Sequence, residues 1–161
     1  MSTCAIRAAT ADDVPLLLSL IRALADYEKL GHEVVADEAG LRENLFGARR
    51  YAEALIAEVD GEAAGFALFF HNFSTFLGRP GIYLEDLFVQ AAHRGQGIGK
   101  RLLKAVATIG VERGCGRYEW AVLDWNEPAI RFYESLGAEM KREWILHRVS
   151  GTALRHLAGN D

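Results

Sequence analysis

The sequence predicts a single α/β (α+β) domain built around a mixed β-sheet. Strand-like runs cluster in the middle of the chain, helices and strands alternate in its second half, and one strand is apolar on both faces. A length of 161 residues fits one domain, and no internal repeat or Pro/Ser-rich linker divides it. We therefore expect one continuous domain over residues 1–161.

The N-terminal part of the chain predicts a strand followed by two helices. Residues 4–8 are expected to form a short strand, and Thr10 with Asp13 three positions later is typical of a helix N-terminus. Apolar residues at helical spacing continue that helix to about Tyr27. A second, shorter helix is expected to begin near Asp37.

The middle of the chain changes to the patterns of β-strands. Two strand-like runs, 54–59 and 63–70, flank the turn dipeptide Asp60-Gly61, which predicts a β-hairpin. After a glycine-containing loop, residues 82–89 form a strand that is apolar on both faces. We expect this strand to be central in the sheet.

The second half of the chain predicts alternating helices and strands. The expected elements are an amphipathic helix over 97–113, a strand over 118–123, a helix over 127–136 and a last strand over 143–149. These elements complete the α/β pattern.

Composition and charge exclude several classes of protein. The chain has 18 Lys and Arg against 22 Asp and Glu, a net charge of −4, so it lacks the basic excess of a nucleic-acid binder. No apolar run reaches the ~20 residues of a membrane span, and we recognise no secretory signal. Two distant cysteines and five scattered histidines have no metal-ligand spacing. We expect no metal, no membrane or nucleic-acid partner, and a reducing, cytoplasmic location.

The strongest functional signal is a glycine-rich loop between the central strand and the amphipathic helix. It reads, in order, Arg94-Gly95-Gln96-Gly97-Ile98-Gly99-Lys100. Glycines at such a junction let backbone amides converge on one point, and the helix start adds its positive dipole. Arg94 and Lys100 add positive charge. The loop therefore predicts a site for a phosphate or diphosphate group.

Other phosphate-binding loops fit these residues less well. A P-loop needs Ser or Thr after its lysine, and Lys100 is followed by Arg101. A dinucleotide fingerprint needs a third glycine where Lys100 stands, although Asp124 near the end of the next strand keeps this interpretation open. A glycine-rich turn without a ligand is the remaining alternative.

Motifs around this loop resemble the GNAT acetyltransferase superfamily, and within it the spermidine/spermine acetyltransferase branch. The matching segments are the loop at 94–99, Tyr83-Leu84-Glu85-Asp86-Leu87-Phe88-Val89 before it, and Trp125-Asn126-Glu127-Pro128-Ala129-Ile130-Arg131-Phe132-Tyr133 after it. Further similar segments make the resemblance cover nearly the whole chain. It implies a mostly antiparallel sheet, acetyl-CoA as cosubstrate bound at a splay between two central parallel strands, direct acetyl transfer, and a homodimer.

The resemblance also implies which residues bind coenzyme A. They are Leu87, Phe88, Val89, Arg94, Gly95, Gln96, Gly97, Ile98, Gly99, Lys100, Asn126 and Tyr133. Backbone groups of Leu87 and Val89 would pair with the pantetheine amides, and the Val89 N–H would face the thioester carbonyl. Asn126, which precedes Glu127-Pro128, is also expected to cap a helix.

Two side chains are candidates for the proton transfers of an acetylation. An alkyl amine has a pKa near ~10, so it must lose a proton before it can attack. Glu85 is the candidate base, because its apolar neighbours would raise the pKa of its carboxyl group. The alternative to a catalytic role is that Glu85 or Asp86 pairs with a buried cation or caps backbone groups. The resemblance implies that Tyr133 is the acid that protonates the departing thiolate. The alternative is that Tyr133 is an ordinary aromatic residue of the core. Cys115 has no histidine at a suggestive position, so we expect an ordinary loop thiol.

The expected acceptor is a small cationic amine: a lysine-like amino acid such as thialysine, or a diamine or polyamine. Tyr27, Glu28 and Glu33 resemble the acidic N-terminal patch of this branch, which would attract a cation. A solvated helix end is the alternative for these acids. Alternation along a strand would send Glu85 and Asp86 to opposite faces, so that at most one faces the acceptor.

Ser74-Thr75 favours a lysine-like amino acid or a small diamine as that acceptor. Relatives associated with thialysine carry Ser-Thr there, whereas polyamine-acetylating members carry Asp-Pro. Phe76 replaces the tryptophan of both groups, which indicates a reshaped pocket. Two other functions stay open: a coenzyme A-binding regulatory module without turnover, and a nicotinamide-dependent oxidoreductase.

Overall fold

The computed structural model describes residues 2–160, and the chain divides into two compact units, Met1–Ala121 and Val122–Asp161. The first unit contains β1 (Cys4–Ala8), α1 (Val14–Tyr27), α2 (Glu38–Phe46), β2 (Glu53–Val59), β3 (Glu62–Ser74), β4 (Arg79–Val89), α3 (Ile98–Glu112) and β5 (Tyr118–Trp120); the second contains α4 (Glu127–Ser135) and α5 (Gly151–Leu157). None of these helices is both long enough and apolar enough to cross a membrane. A single domain over the full length stays a prediction.

The first unit is built on a five-stranded mixed sheet with the strand order β1-β2-β3-β4-β5. Neighbouring strands from β1 to β4 are antiparallel. β5 runs parallel to β4, with Ile82 opposite Tyr118 and Leu84 opposite Trp120. The prediction of a mixed, mostly antiparallel sheet flanked by helices is confirmed.

Apolar stripes on the helices explain why they pack on this sheet. Leu17 and Leu20 of α1 join Ile56 of β2 and Phe66 of β3 in one buried cluster. α3 buries a second stripe and packs against β3 and β4. Burial of each large side chain contributes about 1.5–3 kcal/mol. This burial explains why apolar residues recur at helical spacing in the sequence.

At the helix start that the sequence predicts, the chain enters α1 through a 3-10 turn, Ala11–Asp13, whose last residue is a buried carboxylate. Asp13 accepts a hydrogen bond from the Thr10 amide at 2.7 Å and lies 2.8 Å from Nη1 of Arg7. Arg7 also donates to Glu58 of β2 at 2.7 Å. The Arg7 hydrogen bond lowers the pKa of Asp13 to about 2, although burial acts in the opposite direction. This cluster joins α1 to the sheet.

β3 and β4 form a longer hairpin than the sequence predicts. β3 runs to Ser74 instead of residue 70, and β4 begins at Arg79, because the ladder continues as far as the pair Ser74–Arg79. The buried Ser74 hydroxyl accepts from the Leu77 amide at 3.2 Å, which closes the turn.

The second unit has no β-strand among its described residues, 122–160. The predicted strand over 143–149 is wrong: this segment is irregular, and Trp144, Ile145 and Leu146 are exposed. A strand needs a hydrogen-bonded neighbour, and no other strand is present in the described part of this unit. The strand predicted over 118–123 likewise ends at Trp120, and the helix α5 was not predicted.

Candidate functional site

The glycine-rich loop has the backbone conformation that an anion site requires. Gly95 and Gly97 have φ angles of 79° and 77°, in the left-handed region that favours glycine. α3 begins at Ile98, directly after Gly97, and its first-turn amides have no intrahelical partner. Together with the positive end of the helix dipole, these amides suit a phosphate or diphosphate.

Beside this loop, the end of β4 presents an open backbone edge. β5 pairs with β4 only as far as Leu84 opposite Trp120, so within the described part of the first unit residues 85–89 have no strand on that side. Gly99 at the start of α3 lies against β4, since a Cβ there would be 3.7 Å from Cγ2 of Val89. An extended ligand on this edge could therefore reach the loop with its phosphates.

Arg94 joins the loop to the end of α1. Its guanidinium carbon lies 4.8 Å from the centre of the Tyr27 ring and 5.6 Å from that of Phe88, which is cation–π range. Its Nε donates to the Val89 carbonyl at 2.9 Å. The structure thus brings together predicted site residues that are far apart in the sequence. No local pattern links Tyr27 with Arg94, so the sequence did not predict this contact.

The remaining predicted residues of the first unit differ in accessibility. Phe88 and Ile98 are buried, which restricts any ligand contact mainly to their backbone groups. Gln96 and Lys100 are exposed within the loop, and Glu33 is exposed after α1. Lys100 is therefore placed to add charge at the start of α3.

A β-bulge changes the expected positions of the two carboxylates on β4. Leu68 of β3 lies opposite Asp86, and the next β3 residue, Phe69, lies opposite Leu84, so Glu85 is the extra residue of β4. Such an insertion interrupts the alternation of side chains and redirects them. The simple two-face alternation expected from the sequence therefore does not hold here.

The burial expected for Glu85 is found instead at Asp86. Glu85 is exposed, whereas Asp86 is half-buried. Desolvation, followed by the negative charges of Glu85 and Glu28, raises the pKa of Asp86 to about 7. Burial also raises the pKa of Glu28 at the end of α1. The site therefore gathers negative charge at one end of α1 and β4.

Two predicted site residues belong to the second unit. Asn126 precedes α4, and its Oδ1 accepts from the Ala129 amide at 3.4 Å, so the predicted N-cap is confirmed. Tyr133 lies half-buried on α4, with its ring centre 5.5 Å from that of Phe132. Their proposed ligand contacts stay predictions.

Cys115 has a histidine neighbour that the sequence did not reveal. His71 Nδ1 lies 3.7 Å from the Cys115 sulfur and 2.9 Å from the Gly81 carbonyl, and its Nε2 lies 2.9 Å from Nη1 of Arg113. Since Arg113 can only donate and the carbonyl can only accept, we assign the imidazole proton to Nδ1. A ring with this tautomer cannot take the thiol proton at Nδ1, so the pair is not arranged as a nucleophile and its base.

A comparison with known families decides between the interpretations of the loop. The Acetyltransferase (GNAT) family profile matches residues 19–138, which include β4, the loop and α4. The chain is a GNAT-family acetyltransferase. The predicted resemblance is therefore confirmed.

Individual relatives and solved structures agree with this family membership. The chain is 39% identical to thialysine N-epsilon-acetyltransferase of Mus musculus over 99% of both chains. It is 36% identical to L-ornithine N5-acetyltransferase of Arabidopsis thaliana, over 93% of this chain and 86% of that one. The solved structure of an integron cassette protein from V. cholerae superposes with a TM-score of 0.81 at 29% identity, over 96% of this chain and 97% of that one.

GNAT acetyltransferases use acetyl-CoA as cosubstrate, and the residues of the first unit fit such a molecule. A Cβ added at Gly95 or Gly97 would meet nothing within 4 Å, so their backbone is open to a ligand. Arg94 and Lys100 supply positive charge for a diphosphate. The open edge at 85–89 supplies hydrogen bonds for an extended amide-containing arm.

Proposed function

We propose that the protein transfers the acetyl group of acetyl-CoA to a primary amine of a small cationic acceptor, a lysine-like amino acid such as thialysine or a small diamine. The observation that carries the proposal is the position of Asp86, a half-buried carboxylate on the same strand end as the open edge and the loop. Family membership supports acetyl transfer. The names of the relatives support an amino acid with a side-chain amine as acceptor.

In this proposal acetyl-CoA binds along the end of β4 and at the start of α3. The amides of residues 95–99 hold the diphosphate, and Arg94 and Lys100 add charge. The backbone of residues 87–89 pairs with the pantetheine arm as an additional strand would. The Val89 N–H donates to the thioester oxygen, where negative charge develops during attack. Asn126 adds a contact from the start of α4.

The proposed chemistry needs one group that takes up a proton and another that donates one. The acceptor amine must lose a proton before it attacks, and the carboxylates of Glu85 and Asp86 are the candidates to take it, directly or through water. Tyr133 is proposed to protonate the departing sulfur, because a phenol, with an ordinary pKa near ~10, is still protonated at neutral pH and can donate its proton as negative charge develops on the sulfur.

The acceptor is proposed to bind at the acids near the end of α1. Glu28 and Glu33, with Glu85 and Asp86 of β4, attract its positive charges, and Tyr27 offers a ring face, in part already used by Arg94. Because Ser74 closes the β3–β4 turn, its proposed influence on the acceptor is indirect.

We also propose that the protein is a homodimer in the cytoplasm. The dimer is inferred from the resemblance to the spermidine/spermine acetyltransferase branch. The location is inferred from the two unpaired cysteines, Cys4 and Cys115. Light scattering coupled to gel filtration measures the oligomeric state. Microscopy of a fluorescently tagged chain shows its location in the cell.

The decisive experiment is release of free thiol from acetyl-CoA in the presence of an amine panel. We expect thialysine, lysine or ornithine to support faster release than spermidine, and the Nε-acetylated form of the best amine to support none. Absence of release with every amine, while acetyl-CoA still shifts the melting temperature, would favour the regulatory module instead. A melting-temperature shift by NAD but not by coenzyme A would contradict both the acetyltransferase and the regulatory module.

A further inference from the structure

A cluster of three polar side chains lies where β3, β4 and β5 run side by side. Asn72 of β3 donates to Oε1 of Glu119 at 3.1 Å, and Nε of Arg117 lies 3.1 Å from the same oxygen. Gly81 of β4 makes room for them, because a Cβ there would clash with Oδ1 of Asn72 and lie 3.5 Å from Cγ of Arg117. We call Asn72, Arg117 and Glu119 the β5 cluster.

The strand register places the β5 cluster next to the proposed acceptor position. Glu119 is opposite Tyr83 of β4, and Tyr83 is opposite Phe70 of β3, with the two ring centres 5.2 Å apart. Leu68, two residues before Phe70, is opposite Asp86. Residues i and i+2 of a strand share a face and are about 7 Å apart. Glu119 therefore lies on the same face as Asp86, one such step further along the sheet.

This face is the acceptor side of the sheet. The charge of Glu28, at the end of α1, acts on Asp86 there. α3 packs on the opposite face, where a Cβ at Gly110 would lie 3.2 Å from the Ile82 side chain. Pairing of β5 with β4 ends one residue after Glu119, so the open edge of β4 begins beside the cluster. The cluster thus lies at the start of the gap in which the acetyl-CoA arm is proposed to bind.

Stability alone does not explain the β5 cluster. Oδ1 of Asn72 is buried and accepts no hydrogen bond from any described residue. A carboxylate only accepts, so Glu119 holds the Asn72 amide with its NH₂ group forward and its oxygen toward the interior. The side chains of Arg117 and Glu119 are 45% and 39% exposed. A buried carbonyl without a donor costs more free energy than such an exposed ion pair contributes, and this kind of local cost is typical of ligand sites.

We propose that the β5 cluster binds the amino-acid head of a lysine-like acceptor, with the α-carboxylate on Arg117 and the α-ammonium on Glu119. This inference rests on the proposed function and assigns the residues that select its acceptor. The N–H donors of a guanidinium form a fork that matches the two oxygens of a carboxylate. Within the described residues both contacts of Glu119 use Oε1, so Oε2 is able to accept from an ammonium. Asn72 holds Glu119 in position.

The spacing of these groups suits a lysine-like chain. The step of about 7 Å from Glu119 to Asp86 is comparable to the separation of the two amino groups in an extended lysine-like molecule. The half-buried rings of Phe70 and Tyr83 lie at the level of Glu119 and offer apolar surface to the aliphatic part. A diamine of the same length has no carboxylate for Arg117. The cluster should therefore favour an amino acid over a diamine.

The test compares two acceptors, thialysine and its decarboxylated analogue, which differ only in the carboxylate. Arg117→Gln should raise KM for thialysine about 10- to 100-fold and change kcat less than about threefold, because it removes a contact to a group remote from the reaction. The same variant should change kcat/KM for the analogue by less than about threefold. Glu119→Gln should raise KM for both acceptors about 10-fold, because each has a second ammonium.

Arg79→Gln is the matched control. Arg79 lies at the start of β4, is exposed, and loses the same charge in this variant. A general effect of positive charge on the approach of the acceptor would be common to the two arginine variants. Arg79→Gln should change kcat/KM for thialysine by less than about twofold.

Calorimetry gives a readout that does not depend on turnover. Thialysine titrated into the complex of the protein with coenzyme A should bind about 10- to 100-fold more weakly to Arg117→Gln than to the unaltered protein. The decarboxylated analogue should bind to both with nearly the same affinity. The affinity of each variant for coenzyme A itself shows that the variant has folded.

The outcomes separate this inference from the proposed function. Equal losses for thialysine and its analogue in Arg117→Gln would overturn the inference with acetyl transfer intact, and so would equal losses in Arg117→Gln and Arg79→Gln. A lower kcat at unchanged KM would also overturn it, because Arg117 would then act on the reaction instead of on binding. If the unaltered protein acetylates no amine, the proposed function fails and the inference fails with it.

Discussion

Replacement of Asp13 by Asn tests how the N-terminus of α1 is held to the sheet. The structure lowers the pKa of Asp13 from 3.8 to about 2, chiefly through the hydrogen bond from Arg7. That difference corresponds to about 2 kcal/mol of stability when the group is ionised in both states. Since the Arg7 side chain is 38% exposed, screening by water reduces this figure, and we expect about 1–2 kcal/mol.

The sign of the pH dependence follows from the lowered pKa. The contribution of Asp13 is complete well above pH 4, where the group is ionised in the folded and the unfolded chain. It is lost as the pH falls through the folded pKa of about 2. At pH 3 about half of it remains. Asp13→Asn should therefore destabilise the protein roughly twice as much at pH 7 as at pH 3.

Urea unfolding, followed by tryptophan fluorescence and by circular dichroism at both pH values, measures this difference. Asp12→Asn is the matched control, because Asp12 lies in the same turn and is exposed. It should change the free energy of unfolding by less than about 0.5 kcal/mol. Equal destabilisation by Asp13→Asn at the two pH values would refute the ion-pair explanation, as would equal effects of the two variants.

Three further predictions concern the cofactor, the loop and the sheet. Tyr133→Phe should lower kcat about 100-fold while the calorimetric affinity for coenzyme A stays nearly constant, and unchanged kcat would remove Tyr133 from the acid role. Gly97→Ala should weaken coenzyme A binding, because a left-handed residue with a Cβ costs about 1–2 kcal/mol; binding as tight as before would contradict the importance of its φ of 77°. Gly81→Ala should lower the melting temperature, since its Cβ would clash with the Asn72 side chain that donates to Glu119 at 3.1 Å; an unchanged melting temperature would show that Asn72 moves without penalty.

The elements that sequence patterns predicted well are those with a local cause. The Thr10–Asp13 pair marks the start of the first helical segment, as expected. The turn at Asp60-Gly61 joins β2 to β3 because both residues adopt positive φ there. In each case the interactions are made within a few residues of one another, so composition and spacing are sufficient to predict them.

The predicted strand at 143–149 shows where local patterns are insufficient. Its residues have strand-like composition, but hydrogen bonds with another strand decide whether an extended segment becomes part of a sheet. No pattern within the segment reveals whether such a partner exists. The longer β3–β4 hairpin has the same explanation, since its ends depend on how far the two strands continue to pair.

For this protein, sequence alone predicted the family, because the resemblance depends on residue types in a given order and spacing. The phosphate-binding role of the loop and the acidic acceptor side stay predictions. Tertiary structure decided which carboxylate is desolvated. The β3–β4 register makes Glu85 the extra residue, and the packing of α1 brings Glu28 close enough for its charge to act on Asp86. Register and packing join residues that are distant in the chain, and desolvation depends on all of them at once.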